Sequence, residues 1–108
     1  MSLTAEPASC TIPANGGTSS LKIANSGTDK LIFKIKSSNN KDYRIQPVFG
    51  FVEPSEFKEV TVIRLSGPPK EDKIVIHFSI APVDVFDASA AFATVTPAGT
   101  FTIPMSAT

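Results

Sequence analysis

The chain has no tryptophan, a single histidine, a single cysteine and no excess of either charge. Each scarcity removes a class of function. Acid–base catalysis needs titratable groups held within hydrogen-bond reach of one another. His77 stands alone in a strand-like run, and no histidine lies near Cys10 in sequence to activate its thiol. One histidine and one cysteine cannot make a structural zinc site. Asp84 and Asp87 have no third acid close by for a calcium cage, and Asp87 reads better as a helix cap. Neither turn-like "NGG" (15–17) nor "SGPP" (66–69) is followed by the lysine and helix of a phosphate loop. The expectation is a non-enzymatic protein with no metal and no cofactor.

Ten basic residues balance ten acidic ones. A chain that neutralises many phosphates carries a basic excess, so nucleic acid is not the expected partner. No apolar run approaches the ~18 residues of a membrane span. The opening "MSLTAEPASC" has no basic region followed by an apolar stretch, so no secretory signal is expected. A lone cysteine forms no internal disulfide, and this fits a cytoplasmic protein.

What is present has period two. "SSLKIAN" sets Leu21 and Ile23 on one face, and "KLIFKIK" does the same for Leu31, Phe33 and Ile35. In "KIVIHFSI", Ile74, Ile76, Phe78 and Ile80 alternate with Val75, His77 and Ser79. "FKEVTVIRL" puts Val60 and Val62 inward, which leaves Arg64 on the inward parity as well. A strand is expected near 43–46, a short helix in "DASAAFATV" and a last strand in "GTFTIPM". About seven short strands in 108 residues predict an all-β, immunoglobulin-like two-sheet sandwich forming one domain over 1–108, with a small barrel as the alternative. Nine prolines suit edges and loops, where no ladder donor is needed.

One segment breaks the pattern. "FKIKSSNNKDYRIQPVFGFVEP" (33–54) alternates, gives way to a polar run, then resumes. Such a break marks a strand changing sheets or edges. Its residues resemble the major sperm protein domain, shared by the nematode sperm cytoskeletal protein and the membrane-anchored VAP proteins. The family pattern runs Phe-Lys-Val-Lys-Thr-Thr-x-Pro, then Tyr-x-Val-x-Pro, then Gly-x-Ile-x-Pro. Here the matching positions are Phe33, Lys34, Ile35, Lys36, Ser37 and Ser38, then Tyr43, Ile45 and Pro47, then Gly50, Val52 and Pro54. The chain departs from that pattern at Asn40, Asp42, Gln46 and Val75, where the family tends to carry a proline, a basic residue, an arginine and a methionine.

The resemblance implies a seven-stranded immunoglobulin-like sandwich acting by protein contact in nematode sperm cytoplasm. It implies an acidic peptide or protein partner on a lysine face made by Lys34, Lys36, Ser37, Ser38 and Lys41, with Lys73 and Val75 from a later strand. Alternation supports part of this independently, because Lys34 and Lys36 share one face, as do Lys73, Val75 and His77. The plainer reading is a solvated lysine edge. The resemblance also implies an alternative, a homodimer or larger assembly through sandwich surfaces. Ile32, Phe49 and Phe51 are its candidates, since they fall off the core parity or in a loop, unless they fill the ends of the core.

Overall fold

The computed structural model describes residues 3–108. Alternation decides the layers. The strands are β1 (Leu3–Glu6), β2 (Cys10–Ile12), β3 (Gly17–Asn25), β4 (Leu31–Ser37), β5 (Tyr43–Gln46), β6 (Phe49–Val52), β7 (Phe57–Arg64), β8 (Lys70–Ile80) and β9 (Gly99–Ala107), with one short helix, α1 (Ala88–Phe92), before β9. One sheet has the order β1-β3-β7-β5 and the other β2-β9-β8-β4-β6. All neighbours are antiparallel except β2 and β9. The inward residues Leu21, Ile23, Phe33, Val60, Val62, Ile74, Ile76 and Met105 meet between the sheets with no exposed surface. Each such side chain contributes roughly 1.5–3 kcal/mol through removal from water.

The sandwich of the sequence reading is therefore present, and its strand count is resolved. β1 and β2 lie next to each other in the chain but on different sheets, as do β5 and β6. Counting each split edge as one strand gives seven. Cis peptides at Glu6–Pro7 and Gln46–Pro47 sit at these two crossings.

The broken segment crosses between the sheets twice, at residues 38–42 and again at 47–48, and the polar crossing is the first of these. β4 runs in one sheet, residues 38–42 cross the open edge, β5 pairs with β7 in the other sheet, and β6 returns to pair with β4. The polar residues of the crossing are not a solvated loop. Asn39 and Asp42 are buried. The Asn39 amide donates to Asp42 Oδ2 at 3.1 Å and to Asp72 Oδ2 at 3.0 Å, while Asn39 Oδ1 accepts from the Asp42 backbone N–H at 3.1 Å. Arg64, whose inward parity stood out in the sequence, lies beneath them with 1% of its surface exposed. Its Nη1 is 3.5 Å from Asp42 Oδ2 and its Nη2 donates to the Pro68 carbonyl at 2.6 Å. The guanidinium also sits 4.9 Å from the centre of the Tyr43 ring.

Gly50 faces Phe33 across the β4–β6 pair, and a Cβ there would lie 2.7 Å from two ring atoms. The ring is fully buried and has no room to retreat. Gly50→Ala is therefore expected to destabilise the fold by about 1–3 kcal/mol, the usual cost of overpacking. A denaturant midpoint equal to wild type would contradict this.

At the strand ends parity holds but does not decide burial. Ile80 is half exposed, because β8 outruns the core. Ile32 lies on the outer face, as its parity predicts, yet is fully buried there. Helix α1 covers it, with Ala91 and Phe92 packed over Ile32 and with Phe49 and Phe51 alongside. Asp87 starts that helix, its Oδ1 accepting from the Ser89 and Ala90 N–H groups at 3.1 and 3.2 Å. Ile32 thus offers no surface for self-association, and Phe49 and Phe51 are partly covered.

Candidate functional site

The β4–β8 register pairs Lys34 with His77, Lys36 with Val75 and Ser37 with Ile74. Ile74 and Ile76 point into the core, so Lys34, Lys36, Lys73, Val75 and His77 share the outer face of the β2-β9-β8-β4-β6 sheet. Two strands distant in sequence thus form one lysine strip. β9 continues the surface with the uncharged Thr100, Thr102 and Pro104, opposite His77, Val75 and Lys73.

The charges act on each other. Burial, followed by the positive charges of Lys36 and Lys34, holds the His77 imidazole below its ordinary value. The imidazole's titration thus responds to the charges of the strip as well as to burial. Lys36→Gln is expected to raise the His77 titration midpoint, read by imidazole proton shifts, because one of the two lysine repulsions is removed. An unchanged or lowered midpoint would contradict the arrangement.

The strip is continuous with an aromatic shelf. Lys34 Nζ lies 5.3 Å from the centre of the Phe49 ring and Lys30 Nζ 4.5 Å from that of Phe51. Phe49 meets Phe92 of α1 edge-on at 6.3 Å. Rings beneath ammonium groups stabilise them modestly and limit where they can swing.

The other sequence candidates have different roles in the fold. Ser37 Oγ accepts from the Asn39 N–H at 3.1 Å. Ser38 extends the ladder past β4: its N–H donates to the Lys73 carbonyl at 3.0 Å, its Oγ accepts from the Lys73 N–H at 3.0 Å, and it donates to Asp72 Oδ1 at 3.1 Å. Both hydroxyls are thus engaged within the chain, where they fix the backbone that carries Lys36 and Lys73. Lys41 is exposed on the crossing. Arg44, which sequence reasoning did not single out, donates from Nη1 to the carbonyls of Asn40 and Tyr43, the latter at 3.0 Å. An arginine at the start of a strand that follows a polar crossing was the available signal. A groove of about 460 Å³ opens where the sheets part, and both Lys36 and Arg44 line it.

Chemistry is sparse elsewhere. Cys10 is buried, and burial raises its thiol above the ordinary value. Among the described residues, no three His, Cys, Asp or Glu side chains gather as metal ligands, and no helix is long and apolar enough to cross a membrane.

The chain's sequence and fold have close counterparts. The family model described as "MSP (Major sperm protein) domain" matches residues 2–100. Sperm-specific class P protein 16 of Caenorhabditis elegans is 68% identical over 108 residues, covering 100% of this chain and 99% of that protein. The solved structure of SSP-19, an MSP-domain protein like family member in the same organism, superposes with a TM-score of 0.95 at 61% identity, over 97% of this chain and 98% of that one. That of WR4, a C. elegans MSP family member, gives 0.92 at 38% identity, over 98% and 97%.

Proposed function

The chain belongs to the major sperm protein domain family, and from that premise we propose that it is a non-catalytic interaction module that binds an acidic peptide or protein segment through its lysine strip. The observation that carries this reading is the β4–β8 register, which brings Lys34, Lys36 and Lys73 onto one face with His77 beside two of those lysines. Lysine suits such a face as a mobile point charge. The partner would gain steering and salt-sensitive affinity more than deep burial. The sequence relative described above is named a sperm-specific class P protein of a nematode, which supports nematode sperm as the place of action.

The buried polar crossing gives the strip its rigidity. Ser38, Asn39, Asp42 and Asp72 hold the end of β4 against the start of β8. Less conformational entropy is then lost when a partner docks. The test is titration of the full chain with a deca-glutamate peptide, followed residue by residue through backbone amide shifts. Saturable shifts on the strip support the reading, and their absence overturns it.

A further inference from the structure

β9 is paired unequally on its two sides. β8 runs beside it along its whole length, whereas β2 covers only residues 105–107 on the other side. Among the described residues, no strand pairs with residues 99–104 from that side. Hydrogen bonds at one end of β8 fix which backbone groups face the gap. The Ser38 N–H donates to the Lys73 carbonyl, and the Lys73 N–H donates to Ser38 Oγ, both at 3.0 Å. The backbone groups of Lys73 therefore point toward β4, and those of its cross-strand partner Pro104 point away from β8. By alternation the N–H and C=O groups of Thr100 and Thr102 also point away from β8, while those of Phe101 and Ile103 bond to it. Pro104 fits this pattern, since the N–H it lacks would face the gap and not the ladder.

Exposed edges are normally blunted by charge, proline or shortness. This one has no such device before Pro104, because Gly99-Thr100-Phe101-Thr102-Ile103 is uncharged and rich in strand formers. Thr100 and Thr102 are exposed on the outer face. On the inner face Phe101 is only partly buried, and its ring centre lies 6.0 Å from that of Phe78. The gap thus offers backbone donors and acceptors at alternate positions, a half-covered aromatic pair and no charge. Donors and acceptors at strand spacing recognise an extended backbone, and the half-covered ring selects an apolar side chain opposite it.

We infer that this edge takes an extended segment of a partner protein as an added strand in line with β2. The segment is uncharged where it pairs and turns a β-branched or aliphatic residue inward onto Phe101. The site is separate from the lysine strip and does not rest on it. β2 closes one end of the gap. A second copy fits it poorly, because its own β9 carries a β2 on the same edge. Pairing two such edges sets each β2 in line with the other copy's β9. A single extended segment meets no such obstacle.

The test is amide hydrogen exchange of the full chain with an acetylated, amidated peptide, Arg-Thr-Val-Thr-Val-Thr-Arg, whose terminal arginines keep it soluble. In the free protein the Thr100 and Thr102 amides should be at least tenfold less protected than those of Phe101 and Ile103. Saturating peptide should raise the protection of both threonines tenfold or more. The same peptide N-methylated over its five central residues keeps the side chains and loses the donors, so it should bind at least tenfold more weakly. Thr102→Pro removes an edge N–H and no bond to β8, so it should bind the parent peptide at least tenfold more weakly with an unchanged thermal midpoint. Threonine amides already protected in dilute free protein overturn the inference, because the edge is then covered. It is also overturned by no added protection up to near-millimolar peptide, or by equal binding of the N-methylated peptide. Protection that grows with protein concentration alone overturns the partner segment in favour of a second copy.

Discussion

Asp42→Ala is expected to lower the unfolding free energy by about 3–5 kcal/mol, because it leaves a buried arginine without its counter-charge. Arg64 has 1% of its surface exposed, and its carboxylate partner is Asp42 at 3.5 Å. Buried Arg64 Nε and Nη1 have no hydrogen-bond partner, so Nη1 meets Asp42 by charge proximity rather than by an aligned bond. Nη2 alone is held, by the Pro68 carbonyl. Asp42 also receives the Asn39 amide, so its removal loosens the crossing as well. The double variant Asp42→Ala/Arg64→Met should recover much of the loss, since an apolar chain of similar length has no charge to neutralise. Chemical denaturation of the three proteins checks this. A single-variant loss under ~1 kcal/mol, the size of an exposed pair, would mean that Arg64 is hydrated and that the crossing does not depend on the pair.

The second large effect is on binding. Lys36→Glu with Lys73→Glu is expected to weaken a deca-glutamate peptide by about 30-fold or more at physiological salt. Two attractions are lost and two repulsions gained. At ~0.5–1 kcal/mol for each exposed charge pair, the four changes sum to ~2–4 kcal/mol. Wild-type affinity should fall steeply as salt rises above the physiological range, where the Debye length is already ~8 Å. The double variant should show little salt dependence because little attraction remains. Both lysines are exposed, so its thermal midpoint should stay near wild type. A peptide that binds the double variant as well as wild type, at any salt, would place recognition elsewhere.

The two effects separate what the sequence could disclose from what it could not. The lysine face was legible because β4 and β8 are long and alternate cleanly. For Lys36 and Val75 to share a face required only that the two inward-facing patterns belong to neighbouring strands, as they do. The crossing was legible as an interruption, but its interior was not. Asn39 and Asp42 read as loop residues because their partners, Arg64 and Asp72, lie 22 or more positions further on. Arg64 signalled the network through its wrong parity without naming a partner. Ser37 and Ser38 looked available on a polar face, and only the register beyond β4 shows their hydroxyls engaged.

Ile32 failed for a related reason. Strand parity gives the side of the sheet on which a residue lies, and a five-residue helix more than 50 positions away decides whether that side is covered. β1 and β2 escaped notice because strands of four and three residues parted by Pro7 carry too little alternation. The exposed Phe86 was invisible for the opposite reason, since a phenylalanine next to a helix cap reads as core.

The measurement closest to the central claim is the amide-shift titration of the full chain with deca-glutamate at low and physiological salt. The account predicts saturable shifts centred on Lys34, Lys36, Lys73, Val75 and His77, shrinking as salt rises, together with an upward move of the His77 titration midpoint as the peptide's carboxylates offset the lysines. Shifts centred on the opposite sheet, around Lys22 and Phe57, or no shift at all, would contradict it.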